Sequence, residues 1–128
     1  MNLSMTDKAI AQSMSLRVAT FNVSMEATNY VESNELAVGD ELHQQLKSTQ
    51  NQQIKNIAEI IQHVRPDIIL LNEFDYLSTS NEDIRGFLTS YLSVGQGEEE
   101  SITYPYFYAA PVNTGVDSVF DLDQDGMA

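Results

Sequence analysis

The residues best suited to chemistry are Asn22, which ends the apolar run Leu16-Arg17-Val18-Ala19-Thr20-Phe21, and Glu73, which follows Asn72 after Ile68-Ile69-Leu70-Leu71. Polar side chains at the carboxyl ends of apolar strands lie where open α/β sheets bind ligands. Neighbouring strands are about 4.8 Å apart, so an amide and a carboxylate on adjacent strands can serve one hydrated divalent cation and its phosphate. Taken alone, the same spacing also fits an asparagine capping a turn and a strand-end carboxylate in water.

A second acidic group, Asp121-Leu122-Asp123-Gln124-Asp125-Gly126, has the alternating carboxylates and turn glycine of the first half of a calcium loop. The twelfth position of such a loop would be residue 132, so its bidentate glutamate has no counterpart in these 128 residues. An acidic tail is the competing reading. His63, in the last turn of an expected helix, suits the helix dipole, and His43 falls in a weakly patterned stretch; neither is expected to be catalytic. Asp75 and Tyr76 could orient a site at Glu73. Tyr104, Tyr106 and Tyr108 could stack on a base or sugar, although alternation fits core or edge packing better.

With 6 basic and 19 acidic residues the net charge is −13, which repels phosphate backbones and anionic membranes and disfavours a nucleic-acid groove; phosphate chemistry would need a metal. Without cysteine, the chain has no disulfide, thiolate zinc site, iron–sulfur cluster or cysteine nucleophile. A hydrophobic fraction of 42% can supply one core. No apolar run approaches a membrane span and no signal peptide is visible. The default expectation is therefore cytoplasmic, or exported if the true amino terminus lies upstream.

The elements that must hold these residues read as follows. Residues 1–15 form a flexible leader, and 16–128 form one domain. Leu16–Val23 reads as a strand covered on both faces. Ser24–Ser48 reads as a long loop with a helical turn near Leu42 and Leu46. Thr49 and Gln52 have capping-box spacing before a helix carrying Ile54, Ile57, Ala58, Ile61 and Val64 on one face, which Pro66 stops. Ile68–Leu71 reads as a second buried strand. Strand, helix, strand predicts parallel pairing with both carboxyl ends at one rim. Asn81 is positioned to cap a helix through Leu92, Gly95 and Gly97 end it, Glu98–Glu100 is a solvated loop, and Tyr104–Ala110 reads as an edge strand.

Leu16-Arg17-Val18-Ala19-Thr20-Phe21-Asn22-Val23, Ile57-Ala58-Glu59-Ile60-Ile61 and Arg65-Pro66-Asp67-Ile68-Ile69-Leu70-Leu71-Asn72-Glu73 together resemble the amino-terminal half of the endonuclease/exonuclease/phosphatase superfamily. Asn72 stands where that family has glutamine. Tyr106 to Gly115 resembles, loosely, its next strand and exit loop. The resemblance implies an α/β fold that is part of a four-layer, DNase I-like sandwich, truncated after its first half. It implies Glu73 as ligand of Mg2+ (or Mn2+), with Asn22 beside the metal and the scissile phosphate. The implied activity is metal-dependent hydrolysis of a phosphoester. The family's water-activating groups, phosphate-orienting Asp/Asn pair and final Asp-His pair belong to a carboxyl-terminal half, so the isolated chain is expected to be inactive without that half or self-association. The alternative is a non-enzymatic acidic module binding Ca2+ through Asp121, Asp123 and Asp125.

Overall fold

Two apolar runs separated by an amphipathic helix come together as a parallel pair: β1 (Val18–Met25) lies beside β2 (Ile68–Phe74). The computed structural model describes residues 14–32, 35–76 and 82–110. The leader residues 1–13, the cap at Asn81, the exit loop 111–115 and the acidic loop around Asp121, Asp123 and Asp125 lie outside the described residues. Among the described residues no helix is long and apolar enough to cross a membrane.

The register runs from Val18 opposite Ile68 to Asn22 opposite Asn72. Arg17 starts it: its carbonyl accepts from Asp67 N (2.8 Å), and its own N–H donates to Asp67 Oδ2 (2.7 Å). The chain thus has a mixed α/β fold with a two-stranded parallel sheet. Side-chain alternation splits the sheet into two unlike faces. Phe21, Val23, Met25, Ile69 and Leu71 meet the core, whereas Val18, Thr20, Asn22, Ile68, Leu70 and Asn72 are exposed. Coverage of both faces, expected from the apolar runs, does not occur: Val18 is 66% and Leu70 62% exposed.

The connection holds a 3-10 turn (Ala27–Tyr30) and two helices, α1 (Glu41–Ser48) and α2 (Gln52–Val64). The expected single turn near Leu42 and Leu46 is a full helix that buries both residues. Helix α2 starts later than Thr49 predicts. Thr49 adopts φ 53° as the left-handed end of α1, and Asn51 caps α2 by accepting from Ile54 N (3.2 Å). Ile54, Ile57, Ala58 and Ile61 form the buried stripe. At the other end Arg65, with φ 50°, donates its N–H to Ile61 O before Pro66, so the stop expected at proline is achieved by a left-handed cap and a ring that cannot continue the helix.

After β2, α3 (Glu82–Phe87) continues into a π-helical turn (Leu88–Leu92), and α1 and α2 pack against α3 and this turn respectively. Fully buried Gln62 of α2 satisfies its end: Nε2 donates to the carbonyls of Leu92 (3.0 Å) and Val94 (2.8 Å), and Oε1 accepts from Gln96 N (2.9 Å). The segment Tyr104–Ala110 is not a strand. It runs past β2 without a ladder, leaving an apolar cleft of about 840 Å³ lined by Ile69, Leu71, Phe74, Leu88 and Phe107.

Tyr30 packs against the core with its hydroxyl buried and, among the described residues, unpartnered. Burial, with smaller contributions from Tyr91 and Asp75, pushes its pKa up to about 12. Removing an orphan hydroxyl relieves a desolvation cost, so Tyr30→Phe should raise the unfolding free energy by about 1 kcal/mol in urea denaturation. The folded state favours the neutral phenol. Its contribution is therefore complete below the unfolded tyrosine pKa of about 10 and is lost as pH rises through about 12. Tyr30→Phe should accordingly flatten the alkaline loss of stability.

Candidate functional site at the strand ends

Parallel pairing brings the carboxyl ends of β1 and β2 to one rim, as strand–helix–strand order predicts, with Asn22 directly opposite Asn72 and Glu73 one residue further. Asn22, Asn72 and Glu73 are all exposed. Asn72 is tied along the outer face, its Nδ2 donating to Thr20 Oγ1 at 2.9 Å.

Beyond Asn22 the ladder is interrupted: Val23 and Ser24 together oppose Glu73 before Met25 meets Phe74. This is a β-bulge, a device that re-aims side chains at sheet rims. Ser24 (φ 50°) and Glu73 (φ 54°) both adopt left-handed backbone there, a conformation that costs L-residues about 1–2 kcal/mol. Strict alternation would turn Glu73 toward the core. Instead Glu73 is exposed and Phe74 packs against the core.

Hydrogen bonds hold the bulge. Asn22 Oδ1 accepts from Ser24 N (3.0 Å), while the Ser24 carbonyl accepts from Asn29 Nδ2 (2.9 Å) and Gln53 Nε2 (3.0 Å). Asp75 continues the stitching: its N–H donates to Met25 O (3.1 Å), and its Oδ2 accepts from Ala27 N (2.5 Å), fixing the 3-10 turn beside the rim. Asp75 is thereby a backbone anchor. Asn29 and Gln53 are the rim residues that sequence reasoning misses, since each resembles an ordinary surface amide until the fold brings it to Ser24.

The remaining candidates are engaged elsewhere. His43 of α1 pairs through Nδ1 with Oδ1 of buried Asp83 of α3 (2.7 Å). His63 pairs through Nδ1 with Glu99 Oε1 (2.7 Å), at the end of α2 that feeds the amino end of β2, the pole away from Glu73; a specific carboxylate therefore joins the expected helix dipole as its partner. Tyr104 is half-buried and donates its hydroxyl to Pro66 O (2.8 Å), while Tyr106 and Tyr108 are about nine-tenths exposed, so only the first packs as expected. The apolar cleft beside β2 includes neither Asn22 nor Glu73.

Among the described residues no three histidine, aspartate or glutamate side chains gather as a metal cage. Glu73 as a single exposed carboxylate fits Mg2+, which keeps several waters and takes one or two protein carboxylates; it does not fit the carboxylate-rich set calcium prefers. In comparisons with known proteins, no family model, no curated protein and no solved structure matches the chain.

Proposed function

We propose that this chain is the amino-terminal portion of a metal-dependent phosphoester hydrolase similar to the endonuclease/exonuclease/phosphatase superfamily, with Glu73 as the magnesium-binding carboxylate and Asn22 as the amide beside the phosphate. The observation that carries the reading is the parallel register, which gives exposed Asn22 and Glu73 adjacent positions at one rim. Backbone strain at that same rim, in Ser24 and Glu73, supports it, because left-handed L-residues concentrate at functional sites. The exposed outer face bearing Val18, Ile68 and Leu70 suits a second sheet packed face to face, as a four-layer sandwich requires.

In this reading a bound magnesium ion would polarise a phosphoryl oxygen and offset the charge developing on it. Glu73 supplies the anionic oxygen, and exposure at the rim lets it do so without breaking a hydrogen bond to any described residue. The Asn22 amide orients the phosphate by hydrogen bonding. The family resemblance assigns water activation to neither residue, so binding rather than turnover is the appropriate test.

At matched ionic strength, millimolar Mg2+ should raise the melting temperature of the chain, since a ligand bound only by the folded state stabilises it, and Glu73→Gln should abolish the rise. The ionic-strength match matters because a chain of charge −13 gains stability from any added salt. Equal Mg2+ shifts for both proteins would overturn the assignment of Glu73.

A further inference from the structure

Backbone polarity fixes the orientation of three side-chain amides around Ser24. A backbone N–H can only donate, so the Asn22 atom 3.0 Å from Ser24 N must be the oxygen. A backbone carbonyl can only accept, so the Asn29 and Gln53 atoms at 2.9 and 3.0 Å from Ser24 O must be nitrogens. Asn29 Nδ2 also lies 3.3 Å from Ser24 Oγ. The two amides fill both lone pairs of the Ser24 carbonyl and hold the peptide in its left-handed setting. That setting turns the Ser24 N–H onto Asn22 Oδ1, leaving the Asn22 NH2 group as the end without a partner among these contacts.

We infer that Asn29 and Gln53 are positioning residues: by clamping the carbonyl of Ser24 they lock the Asn22 amide with its NH2 outward, as a hydrogen-bond donor to an anionic phosphoryl oxygen and not as an oxygen ligand of the cation. This rests on the proposed function and refines it by dividing the labour at the rim. Glu73 offers negative oxygen to a cation, and Asn22 offers N–H to an anion. A metal-ligand role for Asn22 would instead make the cation compete with the Ser24 N–H for the same oxygen. The clamp joins three parts of the chain, since Asn29 lies in the 3-10 turn and Gln53 in the first turn of α2.

The test uses the full chain labelled with 15N, with Asn29→Asp and Gln53→Glu made singly and together. Each change preserves shape but replaces the donor with an acceptor. A carboxylate in the first turn of α2 also suits the helix dipole, and thermal melts check folding. Inorganic phosphate with Mg2+ should shift the Asn22 side-chain NH2 resonances of the wild type. In the double variant the phosphate concentration for half the shift should rise on the order of tenfold, the loss of one hydrogen bond to a charged group, and the Ser24 amide should exchange faster with solvent. Mn2+ should still broaden Glu73 in both proteins. An unchanged Asn22 response with unchanged Ser24 exchange would overturn the clamp. Failure of Mn2+ to broaden Glu73 in the wild type would instead overturn the proposed function, and Ser24 exchange would still judge the clamp independently.

Discussion

Gln62→Leu should lower the unfolding free energy by about 3 kcal/mol, near half the stability of a marginal domain. The side chain is fully buried, and its amide caps the end of the π-helical turn: Nε2 donates to Leu92 O, which also accepts from Ile102 N, and to Val94 O, which also accepts from Gln96 Nε2, while Oε1 accepts from Gln96 N. Leucine fills nearly the same volume, so the expected loss comes from the stranded N–H of Gln96 and the two hydrogen bonds lost at the Leu92 and Val94 carbonyls, and not from a cavity. Urea denaturation at neutral pH measures it. A loss below about 0.5 kcal/mol, the range of ordinary surface substitutions, would mean that water reaches those groups and that Gln62 is not the cap described here.

Replacing His43 with leucine should cost a similar amount, about 3 kcal/mol, for a different reason. Asp83 is only 3% exposed; its Oδ1 faces His43 Nδ1 at 2.7 Å, and its Oδ2 is buried without a partner among the described residues. Removing the imidazole leaves the carboxylate with no hydrogen bond among the described residues, the situation in which breaking a buried pair is most destabilising. The second half of the expectation separates this cause from lost packing. His43→Leu/Asp83→Leu should recover most of the stability, because apolar residues of fitting volume often equal a buried polar pair. If the double variant is no more stable than His43→Leu alone, the cost arises from packing between α1 and α3.

The parallel strands and their shared rim are readable in the sequence, since Pro66 separates a helical apolar stripe from an apolar run too short to be a helix. The intervening helix leaves parallel return as the favoured connection. The bulge is not readable. Left-handed backbone has a sequence signal when glycine or asparagine supplies it, and here serine and glutamate do, stabilised by amides 5 and 29 residues from Ser24. The alternation of Tyr104 to Ala110 suggests a strand, but alternation specifies only which side chains turn inward; pairing needs a partner edge in register, and the segment has none among the described residues. Coverage of both sheet faces is overread for a related reason. Apolar character in Val18, Ile68 and Leu70 indicates a face that favours burial, not what would cover it. Thr49 misleads as a cap because a residue that caps one helix and one that ends its predecessor are both small and polar.

The decisive measurement is the pattern of paramagnetic broadening when Mn2+ is titrated into the 15N-labelled chain. If the ends of β1 and β2 form one cation pocket, the signals of Glu73 and Asn22 fade first and together, ahead of those from the acidic run Glu98–Glu100. Early loss confined to Glu98–Glu100, or to Asp121, Asp123 and Asp125, with Asn22 and Glu73 still sharp, would contradict it.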